Sequence, residues 1–174
     1  QILMAAALTP GTSVIEGAAR EPEVVALAEM LNEMGAHVAG AGTSTIIVTG
    51  REELGGASVD IIGDRVEACT YVLAASVTGG TIKVEGIRPE FLGAFNDVML
   101  RTGITREAGD DWLRTGAAGR LEAVNLCTSP FPGFATDMQA LLMAAMCTAD
   151  GESVIEETVF EGRFGHVSEL CRMG

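Results

Sequence analysis

The chain repeats itself about every seventy residues, and this periodicity narrows the folds open to it more than any other feature. The strings MAAALTPGTSVIEG (4–17), LAASVTGGTIKVEG (73–86) and MAAMCTADGESVIEE (143–157) share one pattern: a helix end, a glycine turn, a short strand and a glutamate. Aligned on Glu16, Glu85 and Glu156, the copies lie 69 and 71 residues apart. After each glutamate a second amphipathic segment closes on glycine, at Gly35, Gly103 and Gly174. Such even spacing over three copies marks a repeated structural unit.

Within the unit the coarse order is helix, strand, helix, strand, strand, strand. In the first copy Pro22 suits the opening turn of a helix, where a missing amide hydrogen costs nothing. Val24, Val25, Leu27, Ala28, Leu31 and Met34 recur at helical spacing and form one apolar face, which Gly35 ends. Strands are predicted over 37–39 and 45–49, and the alternation in SVDIIG (58–63) predicts another after a Gly-Gly turn. The second copy starts at Asp64 with a helix to Ser76, then a strand over 81–85 and a helix over 89–101. Strands over 104–107, 112–115 and 121–126 complete it. The third copy starts at Asp137 and stops after its second helix. Units of this kind must pack on one another to cover their apolar faces. Gly63 marks either a seam between domains or a plain turn.

Composition excludes several partners. Hydrophobic residues make up 48% of the 174, which excludes general disorder. The formal charge is −13 and Lys83 is the only lysine, so nucleic acid and anionic membrane are repelled at long range. An anionic substrate must then be held by a few placed arginines. Cys69 and Cys147 fall in apolar helical stretches and are expected as buried free thiols. Cys127 ends a predicted strand and Cys171 lies in the last helix. No pair has CxxC spacing and His166 lacks companions at metal-ligand spacing, so no disulfide framework or metal is expected, and a reducing cytoplasm is. No run approaches the length of a membrane span. The chain lacks an initiator Met and residues 2–8 resemble a helix without its first turns, which predicts a piece of a longer polypeptide. Apolar faces at the severed repeats leave self-association open.

Two charged residues near the end carry chemistry. In PFPGFATDMQALLMAA, Thr136 is predicted to cap a helix running from Asp137 to about Thr148, its side-chain oxygen meeting free amides. Asp137 in that first turn is favoured as an anion by the helix dipole and can accept a proton. In EETVFEGRF, Arg163 can hold a phosphate or carboxylate in a forked grip. The alternative is that Asp137 only finishes the cap and Arg163 only sits on a solvated turn.

The strings GAAREPEVV (17–25), GDRVEACTYVLAA (63–75), AVNLCTSPFPGFATDMQA (123–140) and EETVFEGRFGHVSELCRMG (156–174) resemble the enolpyruvyl transferase family of UDP-N-acetylglucosamine 1-carboxyvinyltransferases, the MurA type. The resemblance implies an α/β fold of repeated βαβαββ units arranged as an inside-out α/β barrel, helices inside and sheets outside. About two and a half repeats are present: residues 1–62 as the last repeat of one domain, and 63–174 as the first repeat and part of the second of the other. It implies transfer of the enolpyruvyl group of phosphoenolpyruvate to the 3′-hydroxyl of UDP-N-acetylglucosamine with release of phosphate. This is the first committed step of peptidoglycan synthesis, and it needs no metal or organic cofactor. By the same resemblance Asp137 contacts the sugar nucleotide and serves in proton transfer, Val159 contacts the sugar nucleotide, and Arg163 neutralises the phosphoenolpyruvate end of the pocket.

Other residues in these strings have structural alternatives. Phe160 and Phe164 are expected as core anchors. Glu21 and Glu23 suit either an inter-domain contact or a solvated helix start, and Arg65 and Glu67 suit ion pairing at the seam. The family's proton-donor cysteine, its phosphoenolpyruvate-binding Lys-Asn pair and further arginines are not matched here. Phe131 stands where many members carry His, and Ala135 where many carry Pro. The isolated chain is therefore expected to have little or no transferase activity. Two rivals remain: the shikimate-pathway 3-phosphoshikimate 1-carboxyvinyltransferase, and a non-catalytic module that reuses the repeat.

Overall fold

A computed structural model describes residues 1–117 and 119–174, which divide into two compact units, Gln1–Ile62 and Gly63–Gly174. In the first unit the order is α1 (Ile2–Ala7), β1 (Thr12–Glu16), α2 (Pro22–Glu33), β2 (His37–Ala39) and β3 (Thr45–Thr49). Pro22 opens α2 and Gly35, at φ 100°, ends its run, as the sequence dictates. The three strands form an antiparallel sheet with β3 central, Thr12 facing Thr49 on one side and His37 facing Thr49 on the other. Strand β3 alternates, burying Ile46 and Val48 against Leu3, Ala7, Ala28 and Leu31. The strand predicted over 58–63 does not form; the segment runs without ladder hydrogen bonds and leaves Ile61 exposed. Alternation makes a strand only where a neighbouring edge supplies partners, and none of the described strands pairs with it.

The second unit carries the same sheet plan. Helix α3 (Arg65–Val77) leads to β4 (Thr81–Glu85), a 3₁₀ turn at Pro89–Leu92, α4 (Phe95–Arg101), β5 (Ile104–Ala108) and β6 (Trp112–Ala117). Its sheet order, β4-β6-β5, reproduces β1-β3-β2, with all pairs antiparallel. The helix predicted over 89–101 is interrupted at Gly93, which has φ 54°. A side chain there would meet the Pro132 carbonyl oxygen at 2.7 Å, so the close approach of two backbones sets the break.

After the sheet, β7 (Leu126–Cys127) pairs in parallel with β8 (Ile155–Glu156). Between them lie a 3₁₀ turn (Thr136–Met138) and α5 (Gln139–Met146), and α6 (Val167–Arg172) follows. The strand predicted over 121–126 is thus reduced to its end. Its earlier part is stitched to residues 150–154 by bonds such as Ala123 N–H to the Asp150 carbonyl and Leu126 N–H to the Val154 carbonyl. The core gathers Val72, Phe95, Met99, Leu113, Phe134 and Leu142, with the Phe95 and Phe134 rings 6.2 Å apart. Gln139 is fully buried among the described residues with neither side-chain polar atom paired.

The cysteines split. Cys69 is buried, and burial pushes its thiol far above the usual range against the pull of Arg65. Cys147, expected inside, is exposed because α5 ends at Met146 and turns it outward. Phe160 and Phe164 are not core anchors either: they are 55% and 38% exposed. No helix among the described residues is long and apolar enough to cross a membrane.

Candidate active site

The predicted cap at Thr136 is replaced by a different arrangement. Thr136 opens a 3₁₀ turn whose cap position is Ala135, and its side chain makes no cap hydrogen bond. The hydroxyl instead donates to Glu157 Oε2 at 2.8 Å and accepts from Arg163 Nη1 at 3.1 Å. The hydroxyl oxygen accepts from a charged guanidinium, a stronger donor than a neutral helix amide, so the distant contact wins over the local one. The turn places Asp137 at the helix start, where Arg163 Nη2 donates to its Oδ1 at 2.7 Å.

Arg163 thus spans two successive residues of the turn, one hydroxyl and one carboxylate. Its guanidinium also lies over the Phe160 ring, 5.4 Å from the centroid. This stacking explains why Phe160 remains on the surface. Arg163 and Asp137 are both about half exposed, at 40% and 54% of their side chains. An ion pair that open adds little to stability. Its placement leaves both charges accessible to a solute.

Sequence reasoning missed Glu157, the hub of this corner. Its Oε1 accepts from the Thr128 hydroxyl at 2.9 Å and from the amides of Val159 and Phe160 at 2.9 and 3.0 Å. Burial works to raise the Glu157 carboxyl. Hydrogen bonds from the Phe160 amide, the Thr136 hydroxyl, the Val159 amide and the Thr128 hydroxyl outweigh it and bring it down to about 2. Only part of the signal was local: a glutamate two and three residues before turn amides can fold back on them as a cap does, whereas Thr128 and Thr136 lie 29 and 21 residues away.

Val159 is exposed and its amide is committed to Glu157. His166 sits by Met143, ring nitrogen Nε2 3.2 Å from the sulfur, a structural contact. Phe131 supports Arg65, whose guanidinium lies 5.5 Å from the ring centroid. Two clefts elsewhere suit an anion poorly. The groove along α2 is rimmed by Glu23, Glu29, Glu33 and Asp60 without a lysine or arginine. The cleft at Arg88 and Arg106 shares its space with Glu90, Asp110 and Asp111, and Arg88 is already bonded to Glu90.

The family model of EPSP synthase (3-phosphoshikimate 1-carboxyvinyltransferase) matches residues 1–174. The chain belongs to the EPSP synthase family. Among relatives, the UDP-N-acetylglucosamine 1-carboxyvinyltransferase of Trichlorobacter lovleyi is 49% identical over 99% of the chain. The protein of the same name from Geobacter metallireducens is 48% identical over all of it. The chain spans 41% and 42% of these two relatives. A solved structure, the enolpyruvyl transferase NikO from Streptomyces tendae, superposes with a TM-score of 0.85 at 26% identity, over 99% of this chain and 41% of that one. The α/β fold of this EPSP synthase family member is therefore that of the enolpyruvyl transferases.

Proposed function

We propose that the chain is the central part of an enolpyruvyl transferase that moves the enolpyruvyl group of phosphoenolpyruvate onto the 3′-hydroxyl of UDP-N-acetylglucosamine, with release of phosphate. Residues 1–62 are then the last repeat of one domain, and 63–174 the first repeat and part of the second of the other. The division into compact units after Ile62 supports that assignment. The observation that carries the function is Arg163 held on Asp137 by a 2.7 Å bond, in a chain about half identical to proteins of that name.

In this reading Asp137 accepts the proton of the acceptor hydroxyl as its oxygen adds to the enol carbon. Arg163 turns its fork from Asp137 toward the anionic end of phosphoenolpyruvate, offsetting charge as phosphate departs. Val159 lies along the sugar nucleotide. Addition comes first and elimination second, through a tetrahedral intermediate, and the proton that enters and leaves the enol carbon's neighbour is handled by groups outside this chain. Substrates of this kind put the reaction in the cytoplasm, and products feed peptidoglycan synthesis.

Phosphate release by the full-length protein, with each acceptor in turn, tests the proposal. Turnover with UDP-N-acetylglucosamine, not with shikimate 3-phosphate, is expected. Preference for the small acceptor would transfer the chain to the shikimate-pathway enzyme, and turnover with neither would support a non-catalytic module. The 174 residues alone are expected to release no phosphate at a normal rate.

A further inference from the structure

Resting on that function, we propose that Glu157 is a positioning residue for the transfer reaction: through Thr136 and Phe160 it fixes the orientation of Arg163, and through the Val159 amide it fixes the segment beside the acceptor. The geometry runs in one direction. Thr136 has a single hydroxyl hydrogen, and that hydrogen is given to Glu157 Oε2. Only lone pairs remain, and one of them takes the Arg163 Nη1 hydrogen. A hydroxyl whose proton is committed to a carboxylate is a stronger acceptor for the next donor.

The second route passes through Phe160. Its amide donates to Glu157 Oε1, and its ring lies under the Arg163 guanidinium. Two of the three contacts that orient Arg163 therefore lead back to one carboxylate, which itself touches neither Arg163 nor Asp137. Glu157 Oε1 also takes the Thr128 hydroxyl, whose oxygen in turn accepts from the Thr158 amide. This anchors the start of the loop to the end of β7. The half-exposed pair of Arg163 and Asp137 would wander without such support. Glutamine has the shape of glutamate but must place two hydrogens on one end. Turned toward Thr136, these hydrogens would force the hydroxyl to accept and free its own hydrogen to point at Arg163.

Three variants of the full-length protein test this: Glu157→Gln, Thr136→Val and the double variant. Turnover and KM for phosphoenolpyruvate are measured, together with hydrogen exchange at the Val159 and Phe160 amides. Glu157→Gln is expected to lower kcat/KM about 10–100-fold, the loss typical of a misplaced reacting group, and to speed exchange at both amides. Thr136→Val should lower kcat/KM without speeding that exchange, since the Oε1 bonds survive. The double variant should be no worse than the weaker single, because both act through Arg163. Additive losses, or wild-type kcat/KM in Thr136→Val, would overturn the proposal, and the latter decides even if Glu157→Gln fails to fold. An unmutated protein inactive with UDP-N-acetylglucosamine would count against the functional reading itself, a separate result.

Discussion

Two helix starts in the second unit show opposite outcomes from similar sequences. At α3, Asp64 accepts from the Val66 and Glu67 amides at 2.8 and 3.1 Å, a side chain capping its own helix. At the turn before α5, Thr136 has the residue type for the same task, but it stands one position past the cap, Ala135, and its hydroxyl serves Glu157 and Arg163. Among the described residues no distant group bonds to the Asp64 side chain, so the local rule holds. At Thr136 the Arg163 guanidinium competes for the oxygen and prevails. The difference separates a residue that holds a helix from one that holds a site.

The contrast can be broken most severely at Thr136. Thr136→Val in the full-length protein should cut kcat/KM about 10–100-fold while the unfolding midpoint in urea stays close to the unmutated value. A large loss of stability would show that Thr136 is a cap after all. Next comes acid. Because the folded Glu157 carboxyl lies at about 2, below its ordinary 4.5, the stability it contributes is complete above about 4.5 and is lost as pH falls through about 2. Acid titrations of the unmutated protein and Glu157→Gln should therefore differ in stability at neutral pH and converge across that interval. A constant gap would deny the carboxylate its role.

At the other helix, Asp64→Ala should lower stability by about 1 kcal/mol, the usual cost of a lost cap, and leave turnover per folded molecule unchanged. A fall in turnover would erase the distinction between the two starts. The smallest effect is expected at Gln139, one residue past the turn. Since neither of its polar atoms is paired among the described residues, Gln139→Met should leave stability unchanged or raise it by up to about 1 kcal/mol, read by the same urea titration.

Much of the fold could be read from the sequence because its signals are local. Pro22, Gly35 and the β-branched run 45–49 mark α2 and β3 by local signals. The 58–63 segment shows the limit: SVDIIG has a strand's pattern, but a strand needs a partner that sequence does not name. Gly93 was similarly opaque, since its break depends on where Pro132 passes. At the site, Asp137 and Arg163 stood out by type and position. Glu157 did not, because its role comes from threonines and amides that only the folded chain brings to it. Phe160 misled for the same reason: burial statistics know nothing of a guanidinium that uses a ring as a shelf.

The ties that join Thr128, Thr136 and Asp137 to the 157–163 loop bridge 21 to 30 positions of chain, whereas the Asp64 cap closes over two or three. Short-range links form early and long-range ones late. A newly made copy leaving the ribosome should thus own a finished α3 before the corner of Asp137 and Arg163 exists. Quality-control machinery would meet a species whose scaffold is sound and whose candidate site has yet to assemble.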